Sequence, residues 1–398
     1  MDTRTPPAQP VIAAPAASHR GPRTMNSALH SFVVRDATDA DSASLLRLVR
    51  TSAVERGVRW TIDRESDFFA PFRAEAGGWW VVIAEEEDTG TPVGCVSVAL
   101  RKAYMDGRVE PTCYVSNLLV RPEWRGRGIG DELCWRAVEL CRRAAGDHAP
   151  VLLAIRERNP HMRRRIPGPR GLPGLRPFAQ VAIHSIRTHA LGSIAGPRRV
   201  EIHPASSDDL EEMVALSRLV FAERQFAPAF DPGSLARWIA GAPGLTLSDH
   251  LVAREDDAVV GWLGLWDEGV IRRVRVASYS RPAALRKALH DSLARITGAP
   301  RFPRVGDLVG CAVVVHACVP VHRPDVLRAI LLHAAGSLQP RACAWLRIAL
   351  DPRDRLAGAL AGLRTHVSSF GAHVTTPTGA YAGPLLNDRP LHFEAALA

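Results

Sequence analysis

Between Arg125 and Gly130 the chain reads Arg-Gly-Arg-Gly-Ile-Gly. Glycines at alternate positions remove Cβ atoms and two arginines add charge, so a bulky anion can come onto the backbone itself. The chemistry that fits is phosphate binding, and the flanking segments supply what it needs. Val115–Val120 is an apolar run of strand length, broken by Arg121-Pro122. Ile129, Leu133, Ala137 and Leu140 then recur at helical spacing through Ala145. Asp131 and Glu132 fall in the first turn, Arg142 and Arg143 in the last, and Gly146 at the stop, as the helix dipole and the cap favour. Strand, glycine loop and helix together aim the unpaired first amides of a helix at the ligand. GxxxxGK(S/T) is absent, and Arg125 stands where the dinucleotide fingerprint has its first glycine. A plain turn accounts for the glycines, but not for the strand, Pro122-x-Trp124 and both arginines together.

The ordered set Asn117-Leu118-Leu119-Val120, Pro122, Trp124 and Arg125-x-x-Gly128-x-Gly130 resembles the acetyl-CoA loop of the GCN5-related N-acetyltransferases (GNAT). That signature is an apolar strand, a proline, an aromatic and then (Q/R)xxGx(G/A). The resemblance implies an α/β fold (α+β mixed sheet): tandem GNAT-like domains, each a central mixed sheet flanked by helices. It implies acetyl-CoA as co-substrate and no metal. It puts the pyrophosphate on Arg125, Gly126, Arg127, Gly128, Ile129 and Gly130. It lays pantetheine along Leu118, Leu119 and Val120, with a backbone amide near Leu118 or Leu119 as oxyanion donor. Asn159 stands where the family has an asparagine against the pantetheine arm. The family's tyrosine acid is replaced by Ile166, and a glutamate often found before the asparagine by Ala154. A common place for the base is the start of the central strand, where Cys113 stands with Glu110, Tyr114 and Ser116 as the catalytic candidates. Cys113 itself reads better as a buried structural thiol.

The elements that must position these residues fall into two sets, as a chain of 398 residues leads one to expect. Residues 1–31, rich in Pro, Ala and Arg and without the apolar region of a signal peptide, read as a disordered leader, with Met25 an alternative start. Residues 32–191 read as the acetyl-CoA-binding domain. Its expected elements are a strand at Phe32–Arg35, a helix over Ala40–Val54 capped by Asp36–Asp41, and a second helix within Val58–Ala74 carrying Trp60, Phe68, Phe69 and Phe72. A hairpin Trp79–Glu85/Pro92–Arg101, the central strand Cys113–Val120, and strands Val151–Ile155 and Val181–Ile186 follow. Residues 192–199 read as a linker, and 200–398 as a second, degenerate GNAT-like domain in which the order repeats. There the expected elements are Val200–His203, the helix Leu210–Phe221, the hairpin Leu251–Arg254/Val259–Trp266, an inserted helix Ser280–Gly298, and the strand region Asp307–Pro320. The helix Pro324–Leu338 and strands Ala342–Leu350, Phe370–Thr375 and Leu391–Leu397 complete it. No glycine lies between Val319 and Pro324, so this copy lacks a pyrophosphate loop.

The net charge of +9 suits a polyanionic ligand such as CoA. The arginines are scattered rather than gathered with interleaved aromatics, so no specific nucleic acid is expected, and no membrane partner either. Seven cysteines without a CxxC read as free thiols in a reducing cytoplasm. The expected function is acetyl-CoA-dependent N-acetyl transfer to a primary amine of a small molecule or amino acid, by direct attack on the thioester, in a monomer or homodimer. The missing acid and base leave a non-catalytic acyl-CoA-binding or scaffold protein as the alternative, and the loop leaves a longer acyl-CoA open.

Overall fold

The computed structural model describes residues 31–55, 57–64, 67–74, 77–157, 174–191, 200–297, 301–338, 343–379 and 389–397. The first half runs β1 (Phe32–Asp36), α1 (Ser42–Val49), β2 (Thr51–Glu55), β3 (Val58–Arg64), β4 (Trp79–Glu86), β5 (Pro92–Met105), β6 (Arg108–Val120), α2 (Ile129–Ala145), β7 (Val151–Arg156) and β8 (Arg176–Arg187). The second runs β9 (Glu201–Pro204), α3 (Leu210–Ala222), β10 (Ala227–Pro228), α4 (Pro232–Gly241), β11 (His250–Glu255), β12 (Ala258–Asp267) and β13 (Arg272–Tyr279). It continues with α5 (Arg281–Thr297), β14 (Gly310–Cys318), α6 (Pro324–Leu338), β15 (Cys343–Leu350) and β16 (Thr365–Thr375).

Local details repeat between the halves. Thr38 and Asp41 form a capping box ahead of α1, and Ser206 and Asp209 form one ahead of α3. The central strands β6 and β14 each carry a bulge with a non-glycine residue at positive φ: Asn117 at 52° and His316 at 53°. Both are also half of a parallel pair, β6 with β7 and β14 with β15. A right-handed crossover needs an intervening helix, and α2 and α6 supply it with their buried faces.

Among the described residues all of this builds one mixed sheet of 13 strands: twelve in the order β1-β4-β5-β6-β7-β16-β8-β15-β14-β12-β11-β9, with β10 pairing β5 off this path. The two halves exchange strands. Beyond β7 lies β16, pairing Phe370–Thr375 with Val151–Arg156, and beyond β15 lies β8, pairing Ala182–Arg187 with Trp345–Leu350. Strands β8 and β16 then pair with each other along ten positions at the centre. Each half's parallel pair would otherwise end in an open edge, which the other half covers. A second sheet, β13-β3-β2, also joins the halves. The chain should therefore unfold in a single cooperative calorimetric transition, and a protease cut within 192–199 should leave the fragments bound together. Two separated melting transitions, or halves that part on gel filtration after the cut, would contradict the exchange.

The structure corrects four expectations. The helix expected to Val54 stops at Val49, and Thr51–Glu55 is a strand. The helix within Val58–Ala74 is β3 followed by a short 3-10 turn, Ala70–Ala74. Val58, Trp60 and Ile62 alternate with Arg59, Thr61 and Asp63, a period of two that pairs with β13 from the other half. Leu391–Leu397 is no closing strand: it makes one bridge, Gln225 to Leu391, and ends in a 3-10 turn at Ala395–Leu397. Asp354–Leu363, whose sequence reads as a short helix, condenses to a 3-10 turn over Arg355–Leu360. The inserted helix is present as α5, whereas β13 and α4 were not foreseen.

Candidate active site between the two halves

The glycine loop takes the conformation its sequence requires. Gly126 and Gly128 stand at φ 83° and 85°, and a Cβ on either would meet nothing within 4 Å, so their outer side is open to a ligand. Gly128 is the N-cap of α2, and Ile129, 1% exposed, anchors the helix start in the core. As the first helical residues, Ile129 and Gly130 have amides with no intrahelical acceptor. Arg125 Nε donates to the Val120 carbonyl at 3.1 Å, tying the loop to the end of β6. The Arg127 guanidinium lies over the buried Trp124 ring, 4.6 Å from its centroid, which fixes the cation at the mouth of the loop. Strands β6 and β7 pair only from Cys113 to Val115, so their ladder ends before the half-buried Ser116–Val120 segment, which holds Leu118, Leu119 and Val120. Asn159, expected on the pantetheine arm, lies outside the described residues.

The corresponding helix start in the second half is occupied by its own side chains. Arg323 pairs with Asp325 and with Glu255, both at 2.9 Å, where α2 offers glycines. The bulge is occupied as well: the His316 amide donates to both oxygens of Glu394, at 2.9 and 3.2 Å.

A cavity of about 250 Å³ lies between the halves. Its first-half wall is Leu100–Ala103 on β5, Thr112–Tyr114 on β6 and Leu152 on β7; Phe226, Phe230, Trp238, His316 and His392–Glu394 close it from the second. Tyr114 sits at the junction, with Arg101 over its ring at 5.2 Å and Phe393 edge-on at 6.0 Å. Its lining carries the cations Arg101, Lys102 and Arg237 and two carboxylates, Asp231 and Glu394; Glu394 is 14% exposed and bonded at 2.7 Å to His392 Nε2. Burial alone would raise its pKa, but the His392 hydrogen bond and the nearby imidazoles outweigh it, so the carboxyl is held below its ordinary value.

Of the predicted catalytic residues, the cavity gathers only Tyr114. Glu110 pairs opposite Ala103 toward the start of β6 and is not among the wall residues. Ser116 lies past the wall, 3.4 Å from the Asn117 side-chain amide. Cys113 is 1% exposed in the core under α2, and its contact with Cys141 pushes the Cys141 thiol up. All seven cysteines are free and buried. Glu394 and His392 were missed as site residues because Leu391–Leu397 reads as a strand, and nothing local to it marks the contact with His316. The helix α4, which brings Trp238, was legible: Asp231 caps it, Pro232 begins it, and Ser234 closes a capping box. Among the described residues no three His, Cys, Asp or Glu side chains converge as metal ligands. No described helix is long and apolar enough to cross a membrane.

Two buried imidazoles support this wall. Burial lowers His250 to about 4 and His316 to about 3, against 6.5 for a free side chain. Below pH 6.5 the unfolded chain binds protons that the folded one refuses. Stability should thus fall as pH drops from 6.5 toward 4, by up to about 1.4 kcal/mol per pH unit for each imidazole. A melting temperature flat across that range would show that the imidazoles are not excluded from water.

Residues 45–165 match the Acetyltransferase (GNAT) family. A search of curated proteins finds no match to the sequence. Among solved structures, the Saccharomyces cerevisiae N-myristoyltransferase with bound myristoyl-CoA superposes with a TM-score of 0.59 at 10% identity, covering 92% of this chain and 89% of that one. A GCN5-related glucosamine N-acetyltransferase region of a fungal multi-domain β-N-acetylglucosaminidase gives 0.54 at 14%, covering 87% of this chain and 38% of that one. A GCN5-related N-acetyltransferase from Sphaerobacter thermophilus gives 0.50 at 14%, covering 88% and 96%. At such identities the likeness is one of fold.

Proposed function

We propose, from a chain that carries a GNAT acyltransferase domain and has the GNAT fold across both halves, that it transfers an acetyl group from acetyl-CoA to a primary amine of a small molecule or amino acid. The observation that carries the reading is that β6 runs from a partly open cavity lined by Thr112–Tyr114 to the open glycine loop that follows Val120. Residues 32–191 bind the CoA ester and residues 200–398 supply the far wall of the acceptor cavity. In the second half Glu394, Arg323 and Asp325 occupy the positions a CoA ester would need, so it binds none.

Each proposed role follows from charge and placement. The pyrophosphate sits on the amides of residues 128–130 with Arg125 and Arg127 beside it. Pantetheine lies along Leu118–Val120. The acceptor enters as an ammonium ion, which the ionised Glu394 attracts; an alkyl amine has a pKa of about 10.4, so the proton must leave before or as nitrogen attacks. Glu394, supported by His392, takes it. Nitrogen bonds to the thioester carbon, the backbone near Leu118 stabilises the oxyanion, and the C–S bond breaks. The nitrogen gives up its second proton as the intermediate collapses, and the departing thiolate takes it up through Tyr114 or water, so the tyrosine ends protonated. A cavity of about 250 Å³ suits a small acceptor rather than a folded protein.

The test is CoA release measured with an amine library, run with acetyl-CoA and with longer acyl-CoA esters. Turnover with acetyl-CoA and a small primary amine supports the reading. Faster turnover with long-chain donors would replace the acetyl assignment. Tight acetyl-CoA binding without turnover on any amine would favour a non-catalytic binding protein.

A further inference from the structure

Helix α5 is built inside out for a soluble protein. Its buried and half-buried positions are Ala283, Lys287, His290, Asp291 and Ala294, while Leu285, Leu289, Leu293 and Ile296 are 61–85% exposed. At 100° per residue the exposed four fall within one stripe, on a different face of the helix from the inward set. The large apolar side chains face water, while the protein side holds two alanines with the polar Lys287, His290 and Asp291, the reverse of what burial of apolar area favours. The charges are ordered around the stripe. The exposed Arg286 borders it on one side, and the exposed Arg281 and Arg295 on the other. The only acidic residue of the helix, Asp291, is turned inward and paired with Lys287. The described segment beyond it adds exposed Arg301 and Arg304 and one exposed acid, Asp307, with Val305 61% and Leu308 50% exposed.

We propose that this face of α5 seats the protein on an anionic membrane surface. Leucine and isoleucine would enter the boundary between headgroups and acyl chains, while arginines on both edges reach the lipid phosphates. Charge selects this occupant over a second copy of the chain. Across a two-fold contact, Arg281, Arg286 and Arg295 would meet their own counterparts, and the stripe carries no exposed acid to pair with them. The inference departs from the expectation of no membrane partner. It is independent of the acyl-transfer assignment and requires no spanning segment.

The experiment is co-sedimentation of the full chain with vesicles of phosphatidylcholine alone and of phosphatidylcholine with phosphatidylglycerol. Binding should need phosphatidylglycerol and fade at high salt. Replacing Leu289→Gln and Leu293→Gln together should reduce it at least ~tenfold. Arg281→Gln and Arg295→Gln should each weaken it roughly fivefold. All four positions are exposed, and an unchanged melting curve reports that each variant folds. Failure of the wild-type chain to bind anionic vesicles, or equal binding by the double leucine variant, would overturn the proposal. So would a dimer in light scattering that the leucine variant dissociates, because the stripe would then belong to a second copy.

Discussion

Replacing Glu394 with Gln should lower kcat for amine acetylation by about 10²-fold or more, the usual contribution of a positioned base. The substitution keeps an oxygen for the His316 amide but removes the negative charge. The ammonium ion then loses its attractor and the proton its acceptor, so the amine KM should rise as well. Acetyl-CoA affinity should not change, because the glycine loop lies on the other side of the central strand's end. The pH profile provides a second check. Glu394 is held below its ordinary value and is ionised at neutral pH, so the wild-type rate should climb with pH toward the amine's own pKa of about 10.4. An unchanged kcat in Glu394→Gln would remove the carboxylate from the mechanism and leave proximity in the cavity as the source of rate.

Gly128→Asp should weaken acetyl-CoA binding at least tenfold, as measured by calorimetry. Two effects add. An aspartate at φ 85° is strained, and its carboxylate projects into the open space where the pyrophosphate is expected. Each charge-assisted hydrogen bond lost there costs on the order of 1.5–3 kcal/mol. The fold should survive, since nothing lies within 4 Å of that Cβ. Unchanged affinity in a folded variant would mean that the phosphates bind elsewhere.

The loop was legible because everything it needs is local. Glycine at positive φ, an apolar strand and a charge-ordered helix lie within about thirty consecutive residues, and each leaves its mark on composition. Helix α2 ends at Ala145 as the sequence indicates, and begins at Ile129, two residues before the Asp131 start read from the sequence. The acceptor cavity was not legible, because its walls are brought together only by long-range pairing. Tyr114 meets Phe393 across some 280 positions, and nothing near Glu394 in the chain announces that it bonds to the His316 bulge. The error at Val58–Arg64 has the same origin. Aromatics at 68, 69 and 72 suggested a helical face, while the partner that makes β3 a strand is residue 272 onward. A distant partner overrode a weak local signal.

The strand exchange also bears on how the chain is made. During synthesis from the N-terminus, β7 emerges with one side unpaired, and its partner β16 begins more than two hundred residues later. At the usual pace of translation that is a wait of roughly 10–40 s. For that interval the nascent first half exposes the apolar edge of Val151–Ile155, so it cannot complete its sheet ahead of the second half. The ribosome-bound chain should depend on holding factors until Thr375 has cleared the exit tunnel. A truncated message stopping short of β16 should yield aggregate rather than a working cofactor domain.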